Sequence, residues 1–193
     1  VFTTIKVTVY TMAGSLLMFV SIMYLGVAYY NEFGVWSFSY DKLMQITTIP
    51  YDIKVWLFLG FLVAFAIKIP IFPLHTWIME TYKNAPTGAV FLLSSIMAKL
   101  GVYAIVRFMI PIFPDIYVEF STWFVAIGLF GLIYFGIAAL MQDDIKRMFA
   151  YSSASHLSFI SAGIFSLNSY GINGSLYLII AHAIATGALF LLV

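Results

Sequence analysis

The chain has 193 residues, of which 63% are hydrophobic, 19% aromatic and 9% charged, and its mean hydropathy is +1.03. This composition indicates a multi-spanning membrane chain and argues against a soluble domain with a large core. A net charge of +1 without a basic tract gives no support for nucleic-acid binding. Because cysteine is absent, disulfides, thiolate zinc sites and cysteine-ligated iron–sulfur clusters are excluded from this chain.

Apolar stretches of spanning length predict an all-α, polytopic transmembrane helix bundle that forms a single region over residues 1–193. The expected spans are 7–30, 55–82, 86–112, 116–141, 148–167 and 174–193. Residues 31–54 are polar and aromatic, which favours an interfacial connector with a short amphipathic piece. The chain opens without a methionine and stops inside an apolar run, so we expect a segment of a longer protein.

The second span is expected to be broken. Lys68 lies about 14 residues into it, roughly 20 Å along a regular helix axis, and Pro70 and Pro73 follow directly. These prolines lack the amides that would reach back to the carbonyls of Ala66 and Ile69, so both carbonyls need other partners. Freed backbone is tolerated at membrane depth only inside protein or beside water. The sequence therefore predicts that a broken helix beside Lys68 lines a polar pathway.

The third span carries a second lysine. Lys99 lies midway along an apolar, unbroken helix, and Ser94 and Ser95 one turn away are expected to hold hydrogen-bonded water. Placing two lysines at the centres of spanning helices costs about 5 to 7 kcal/mol, which rivals the net stability of many domains. This cost favours a functional role over snorkelling or a static counter-charge. Arg107, nearer the far end, is interpreted as an interfacial or inter-helix anchor, with a catalytic role as the less favoured alternative.

The fourth and fifth spans differ in what their small residues indicate. Glycines in the fourth span allow close helix approach, so we interpret them as packing positions: Gly128, Gly131 and Gly136. In the fifth span, Ser152, Ser155 and His156 fall within one arc of about 100° of the helical wheel. Serine hydroxyls on that arc are expected to hold water beside the histidine.

The sixth span carries His182 among alanines and glycine, and by itself this histidine is equally consistent with a structural role. Four helices that each carry one ionisable group near mid-depth, however, predict a proton relay. Its members are Lys68, Lys99, His156 and His182. We expect Lys99 to be the central exchange point, and His156 to matter more than His182 because it shares its face with serines.

Acidic residues are confined to predicted loops or span ends, which leaves Lys68 without a carboxylate at its own depth. Basic residues in the loops divide unevenly between the two sides of the membrane. One side carries Lys6, Lys83, Lys146 and Arg147, whereas the other carries Lys42 and Lys54. By the positive-inside rule the first side faces the cytoplasm or matrix.

Three motifs resemble the antiporter-like membrane subunits of respiratory NADH:quinone oxidoreductase, most closely the chain M or subunit 4 type. They are AIKIPIFPLHTW, NAPTGAVFLLSSIMAKLGVYAIVRF and QDDIKRMFAYSSASHLSF. The resemblance implies an inverted-repeat, antiporter-like fold of which this chain holds about six helices. It implies that Lys68 is the lysine on the broken helix, Lys99 the central lysine, and His156 and His182 the later relay histidines. We assign supporting positions to Pro70, Pro73, His75, Ser152 and Ser155.

The chain also departs from the family pattern. Where the family often has Pro-Asp-Ala-His after the tryptophan, this chain has the residues Met79, Glu80, Thr81 and Tyr82. Any role of that histidine is therefore absent, although His75 remains. The glutamate that the family pairs with the first lysine, and its later broken helix, lie outside this segment.

The resulting hypothesis is a proton-translocating membrane-arm subunit of NADH:quinone oxidoreductase, coupled through its Lys/His relay to quinone reduction elsewhere. We expect no redox site, cofactor or metal in this chain, with NADH, flavin, iron–sulfur clusters and quinone in partner subunits. Its partners would be other membrane subunits, the lipid bilayer and protons, in a bacterial inner membrane or, alternatively, a mitochondrial inner membrane. A subunit of a multi-subunit sodium/proton antiporter is the alternative, and mid-depth charges disfavour a purely structural anchor.

Overall fold

The computed structural model describes residues 2–193 and contains eight helices over that range. They are α1 (Phe2–Phe33), α2 (Tyr40–Leu43), α3 (Tyr51–Lys68), α4 (Thr76–Asn84), α5 (Thr87–Ile112), α6 (Pro114–Leu140), α7 (Ile145–Ile164) and α8 (Ser169–Leu192). No strand occurs within these described residues. The predicted all-α fold class is confirmed.

Helix ends follow from capping residues rather than from hydropathy alone. Asp144 accepts a hydrogen bond from the Arg147 amide at 2.9 Å and starts α7, whereas Asn168 accepts one from Gly171 at 2.6 Å and starts α8. Both helices therefore begin inside stretches that hydropathy assigned to turns, residues 142–147 and 168–173. The connector is also shorter than expected, because α1 continues to Phe33 and α3 begins at Tyr51.

Four helices are long and apolar enough to cross a membrane by length and composition: α1, α5, α6 and α8. The remaining long helix, α7, has 20 residues and is rich in serine. The halves α3 and α4 have 18 and 9 residues and meet at the break. The six-span topology stays a prediction.

The break lies where the prolines predict it. Residues 69–75 separate α3 from α4, and within them the Ile71 amide donates to the Ala66 carbonyl at 3.0 Å. The other partner that the Ala66 carbonyl was expected to need is thus a backbone amide, because the residue directly after Pro70 replaces the missing donor. The Trp77 indole N–H, from α4, donates to the Ile67 carbonyl at 3.0 Å and ties the two halves together.

Helix α5 is continuous but not regular. Two π-helical turns interrupt its α-helical geometry, at Leu93–Met97 and Ile105–Met109. Such turns carry one extra residue and are frequent at functional sites. Lys99 lies two residues after the first of them.

Close approach of α6 and α7 depends on glycine, as predicted. A methyl group at Gly128 would lie 2.9 Å from the Ser158 carbonyl oxygen, and one at Gly131 would lie 2.7 Å from the Ser158 hydroxyl. At Gly136 the nearest atom is 3.7 Å away, so that position has room for a side chain. A side chain would therefore clash with α7 at two of the three glycines, Gly128 and Gly131.

Polar contacts bring the helix ends together at two opposite ends of the bundle, in line with the two sides between which the loop charges were divided. The Asn84 amide donates to the Thr3 hydroxyl at 3.3 Å, which brings the end of α4 beside the start of α1. At the opposite end Tyr40 donates to the Arg107 carbonyl at 2.8 Å, and the Arg107 guanidinium lies 4.9 Å from the Tyr40 ring centroid. These contacts agree with an anchoring role for Arg107.

Candidate functional site

Lys99 is the only lysine or arginine that is buried among residues 2–193. Its residue is 6% exposed, and its ammonium donates to the Ser94 carbonyl, in the preceding π-helical turn, and to the Thr186 hydroxyl of α8 at 3.3 Å. No carboxylate of residues 2–193 pairs with it. A buried ammonium without a counter-charge is costly, and dipoles of a carbonyl and a hydroxyl recover only part of its lost hydration.

His182 lies one helical turn before Thr186 in α8 and so borders this contact. It is 7% exposed, and its Nε2 is 3.1 Å from the Ser153 hydroxyl of α7. Thr186, one turn further along α8, donates its hydroxyl proton to the His182 carbonyl at 2.6 Å and keeps its lone pairs for Lys99. The same threonine therefore joins the lysine to the histidine's helix turn.

His156 completes the cluster from the outer side of α7. Its ring centroid lies 4.9 Å from that of His182, with the ring planes tilted by 41°. Unlike His182, His156 is exposed in the described chain. The two rings meet a cavity of about 100 Å³, which has room for a few water molecules. The polar side chains that line it are Ser152, Ser153, His156, His182 and Thr186.

Glycine allows α5 and α8 to approach closely enough for these contacts. A methyl group at Gly187 would lie 2.6 Å from the Ser95 hydroxyl and 2.9 Å from the Phe91 ring. Gly187 is next to Thr186 in the chain, so the lack of a side chain there lets Thr186 reach Lys99. The glycine is thus a structural requirement of the site.

Lys68 lies on the other side of α5 from this cluster. It ends α3, is partly buried, and its Cβ would be 3.1 Å from a methyl group at Gly101. Its ammonium forms no hydrogen bond or ion pair with the described residues. A small cavity of about 10 Å³, near the volume of one water, lies among Lys68, Thr11, Trp77 and Met97. Met97 is two residues before Lys99, so this cavity lies between the two lysines' helices.

The other predicted site residues take separate positions. Pro70 and Pro73 lie in the break, and His75 follows them at the start of α4. The His75 ring is 6% exposed and packs against aromatic rings, with centroids 4.7 Å from Phe135 and 5.8 Å from Phe72. Its Nδ1 has no partner among residues 2–193, and no hydrogen bond connects it to either lysine there.

The serine arc proposed for α7 is divided between two neighbours. Ser155 donates to the Leu132 carbonyl of α6 at 2.8 Å, so it serves packing and not the histidines. Ser152 lines the histidine cavity as expected, but the serine bonded to a ring is Ser153. Similarly, the Ser94 hydroxyl donates to the Phe91 carbonyl at 3.2 Å, and it is the Ser94 carbonyl that receives the Lys99 ammonium.

Sequence reasoning therefore missed two functional candidates, Ser153 and Thr186. A signal for each was present. Thr186 is four residues after His182 and shares its helix face, while Ser153 is three residues before His156. What spacing alone did not reveal is that α8, and not α7, is the neighbour that faces Lys99.

The cluster suits proton transfer chemically. Imidazole can donate and accept in its neutral form, hydroxyls do both, and a lysine ammonium gives up its proton more readily than a guanidinium does. The order in space is Lys99, Thr186, His182 and then Ser153 with His156. The described residues hold no cluster of three metal-ligating side chains.

Comparison with known proteins confirms the resemblance of the three motifs. Residues 2–193 match the family model described as "NADH:quinone oxidoreductase/Mrp antiporter, TM". NADH-quinone oxidoreductase subunit M of Escherichia coli K12 is 36% identical over 97% of this chain, and NADH-ubiquinone oxidoreductase chain 4 of Chondrus crispus is 37% identical over 94% of it. In each case the aligned part is 36% of the relative's length.

Solved structures agree. A chain of respiratory complex I from Thermus thermophilus superposes with a TM-score of 0.85 at 32% identity, over 97% of this chain and 39% of that one. A chain of an archaeal membrane-bound sulfane sulfur reductase superposes with a TM-score of 0.81 at 26% identity, over 98% of this chain and 32% of that one. The chain thus spans between 32% and 39% of the length of these relatives.

Proposed function

This chain belongs to the NADH:quinone oxidoreductase/Mrp antiporter transmembrane family, and from that premise we propose that it forms part of a proton-translocating membrane subunit of NADH:quinone oxidoreductase. The observation that carries the proposal is the buried ammonium of Lys99, joined through Thr186 to the His182 turn in an otherwise apolar bundle. A membrane protein tolerates such a group where it serves ion movement.

In the proposed pathway a proton leaves Lys99 toward α8 and reaches the His182 and His156 pair. Thr186 holds the ammonium in place by accepting one of its hydrogen bonds. The cavity of about 100 Å³ beside both rings offers space for water to bridge from Thr186 to the imidazoles. The Ser153 hydroxyl, 3.1 Å from His182 Nε2, can donate to that ring nitrogen or accept from it, so it can follow either protonation state of the ring.

Lys68 would supply the opposite side of the exchange point. It faces the cavity of about 10 Å³ toward α5, but it has no polar partner within the described chain. We propose that its counter-charge comes from residues outside this segment and that the break at 69–75 lets the ammonium meet water. Pro70 and Pro73 maintain that break, while His75 supports it through its aromatic contacts.

Redox chemistry is assigned to partner subunits in this proposal. NADH, flavin, iron–sulfur clusters and quinone would reside there, and this chain would contribute transport alone. The membrane would be a bacterial cell membrane or the inner membrane of mitochondria, since the curated relatives come from both sources.

Proton uptake in membrane vesicles tests the proposal. The full-length subunit carrying Lys99→Ala is assembled into its complex, and proton translocation is followed by a pH-sensitive dye while NADH oxidation is recorded. Loss of translocation per NADH in an assembled complex is expected. Lys42→Ala removes an exposed lysine of the connector and serves as a matched control that should behave as the unaltered protein.

A sodium/proton antiporter subunit is the second candidate, since the family description covers Mrp antiporters as well. The two functions differ in partners and in ions. Co-purification with quinone reductase activity supports the first, whereas sodium-dependent proton exchange without a redox partner supports the second.

A further inference from the structure

One charged contact lies outside the lysine–histidine cluster. Arg147 Nη2 and Glu80 Oε1 are 2.8 Å apart, and they form the single ion pair found in residues 2–193. Glu80 belongs to α4 and Arg147 to the first turn of α7, 67 positions further along the chain. The two side chains remain 37% and 32% exposed, respectively.

The position of α4 depends on contacts with other helices, because residues 69–75 separate it from α3. Near its start, Trp77 donates to the Ile67 carbonyl, one residue before Lys68. At its middle, Glu80 reaches Arg147 on α7. The side chains of Ile78, Met79 and Tyr82, on either side of Glu80, are buried. This short helix thus bridges the lysine break and α7.

Arg147 is a fixed partner rather than a mobile surface cation. Its backbone amide donates to Asp144 Oδ1 at 2.9 Å, so the residue belongs to a capped helix start. The same helix carries Ser153 about 1.7 turns and His156 about 2.5 turns further on. A displacement of the Arg147 end would therefore be transmitted along α7 to the histidine cluster.

Folding energy does not account for the pair, because ion pairs this exposed contribute little to stability. The position of the pair, between α4 and α7, explains its presence better than its contribution to stability does. We propose that the Glu80–Arg147 pair is a latch that fixes the second half of the broken helix, and with it the break at Lys68, relative to the helix that carries Ser153 and His156. The inference rests on the proposed proton pathway for its functional consequence, but its geometric content stands separately.

The functional consequence follows from proximity. Proton transfer requires donor and acceptor within hydrogen-bond reach, and a small misplacement of either lowers the rate strongly. Without the latch, α4 and α7 keep their apolar contacts but lose the polar contact that fixes their relative position. Glu80 and Arg147 are therefore positioning residues, and neither touches the proton.

Distances between spin labels test the geometry. Labels are attached at Lys83→Cys and Ile145→Cys, two exposed positions beside the pair, in an otherwise cysteine-free full-length subunit within its complex. This segment has no cysteine of its own to replace. We expect the distance distribution to broaden in Glu80→Gln and in Arg147→Gln, and to narrow again in the charge swap Glu80→Arg with Arg147→Glu. A distribution that stays unchanged in both neutral variants overturns the latch.

Transport by the same complexes without labels tests the consequence. Each neutral variant should translocate roughly two- to tenfold fewer protons per NADH oxidised, and the swap should recover most of the loss. The matched control is Asp143→Asn, which neutralises an exposed acid outside the pair and should change neither readout. Full transport in the neutral variants contradicts the inference even if the distances broaden.

The two proposals fail differently. If the unaltered complex moves no protons, the proposed function fails while the spin-label distances still decide the latch. If transport is normal and depends on Lys99 but not on Glu80 or Arg147, the latch alone fails. Should the neutral variants not assemble, Glu80→Asp withdraws the carboxylate by one methylene. It should broaden the distribution partially, and an unchanged one would again contradict the latch.

Discussion

Lys99 combines burial with a lack of counter-charge, and this combination sets what its replacements should do. The ammonium bonds only to neutral groups, the Ser94 carbonyl and the Thr186 hydroxyl, among the residues described. A group held this way is a cost to the fold that an apolar side chain of similar size would remove. Function and stability should therefore respond in opposite directions at this residue.

We predict that Lys99→Met abolishes proton translocation while the melting temperature of the purified complex stays the same or rises. Lys99→Arg should also lose translocation, because a guanidinium hardly releases its proton in proteins. A fixed counter-charge would need only positive charge. Near-normal translocation by the arginine variant, measured in the vesicle assay, would therefore refute the exchange role of Lys99.

The two histidines should differ, in the order opposite to that expected from the serine arc. His182 is buried and bonded to Ser153, on the helix turn that Thr186 joins to Lys99. His156 is exposed, and although its ring lies beside that of His182, it forms no hydrogen bond with the residues described. We predict a larger loss of translocation in His182→Ala than in His156→Ala, measured at equal complex content. Equal losses would indicate that the rings act as one unit.

At the scale of helices, the close approach of α5 and α8 holds the site together. We predict that Gly187→Ala destabilises the subunit by about 1 to 3 kcal/mol through overpacking against Phe91 and Ser95. It should also reduce translocation, because the added methyl moves Thr186 away from Lys99. Gly174→Ala in the same helix is the matched control, since nothing lies within 4 Å of a methyl group there.

Thermal unfolding of the purified subunit in detergent measures both variants. The control should be unchanged or slightly stabilised, since alanine favours a helix more than glycine does. If Gly187→Ala unfolds at the same temperature as the control, the close approach is not required.

Helices and their breaks were predictable because they depend on local properties. Apolar length indicated the helices, and Pro70 and Pro73 placed the break correctly. Caps moved the starts of α7 and α8, since one hydrogen bond from Asp144 or Asn168 outweighs a hydropathy boundary. The partner of Lys99 was not predictable, because it depends on which helix packs against α5. The neighbour of Ser155 was not predictable for the same reason, since its hydroxyl donates to α6.

At the scale of the whole molecule, polar contacts assign the loop charges to two ends. Asn84 with Thr3, and Glu80 with Arg147, bring Lys6, Lys83 and Lys146 to one end. Tyr40 with Arg107, and Tyr51 with Glu119, define the other end, which carries Lys42 and Lys54. Two ends with different basic content are what the positive-inside rule uses to orient a bundle.

We predict that a cysteine at Lys83 faces the cytoplasm or matrix, whereas one at Lys42 faces the opposite compartment. Membrane-impermeant maleimide added to right-side-out and inverted vesicles measures this directly. Each position should react in one vesicle type only, because both side chains are exposed. Reaction from the opposite sides would reverse the assigned orientation, and with it the direction of the proposed pathway.

The π-helical turn Leu93–Met97 has a consequence for how such a chain tolerates length changes. It contains one residue more than an α-helical turn, so Lys99 is rotated by about 100° from where an uninterrupted α-helix would direct it. Deleting a single residue between positions 93 and 97 would remove that extra residue, so regular winding would return with the lysine still directed at α8. This turn therefore has a residue to spare, and a one-residue deletion within it should leave translocation largely intact.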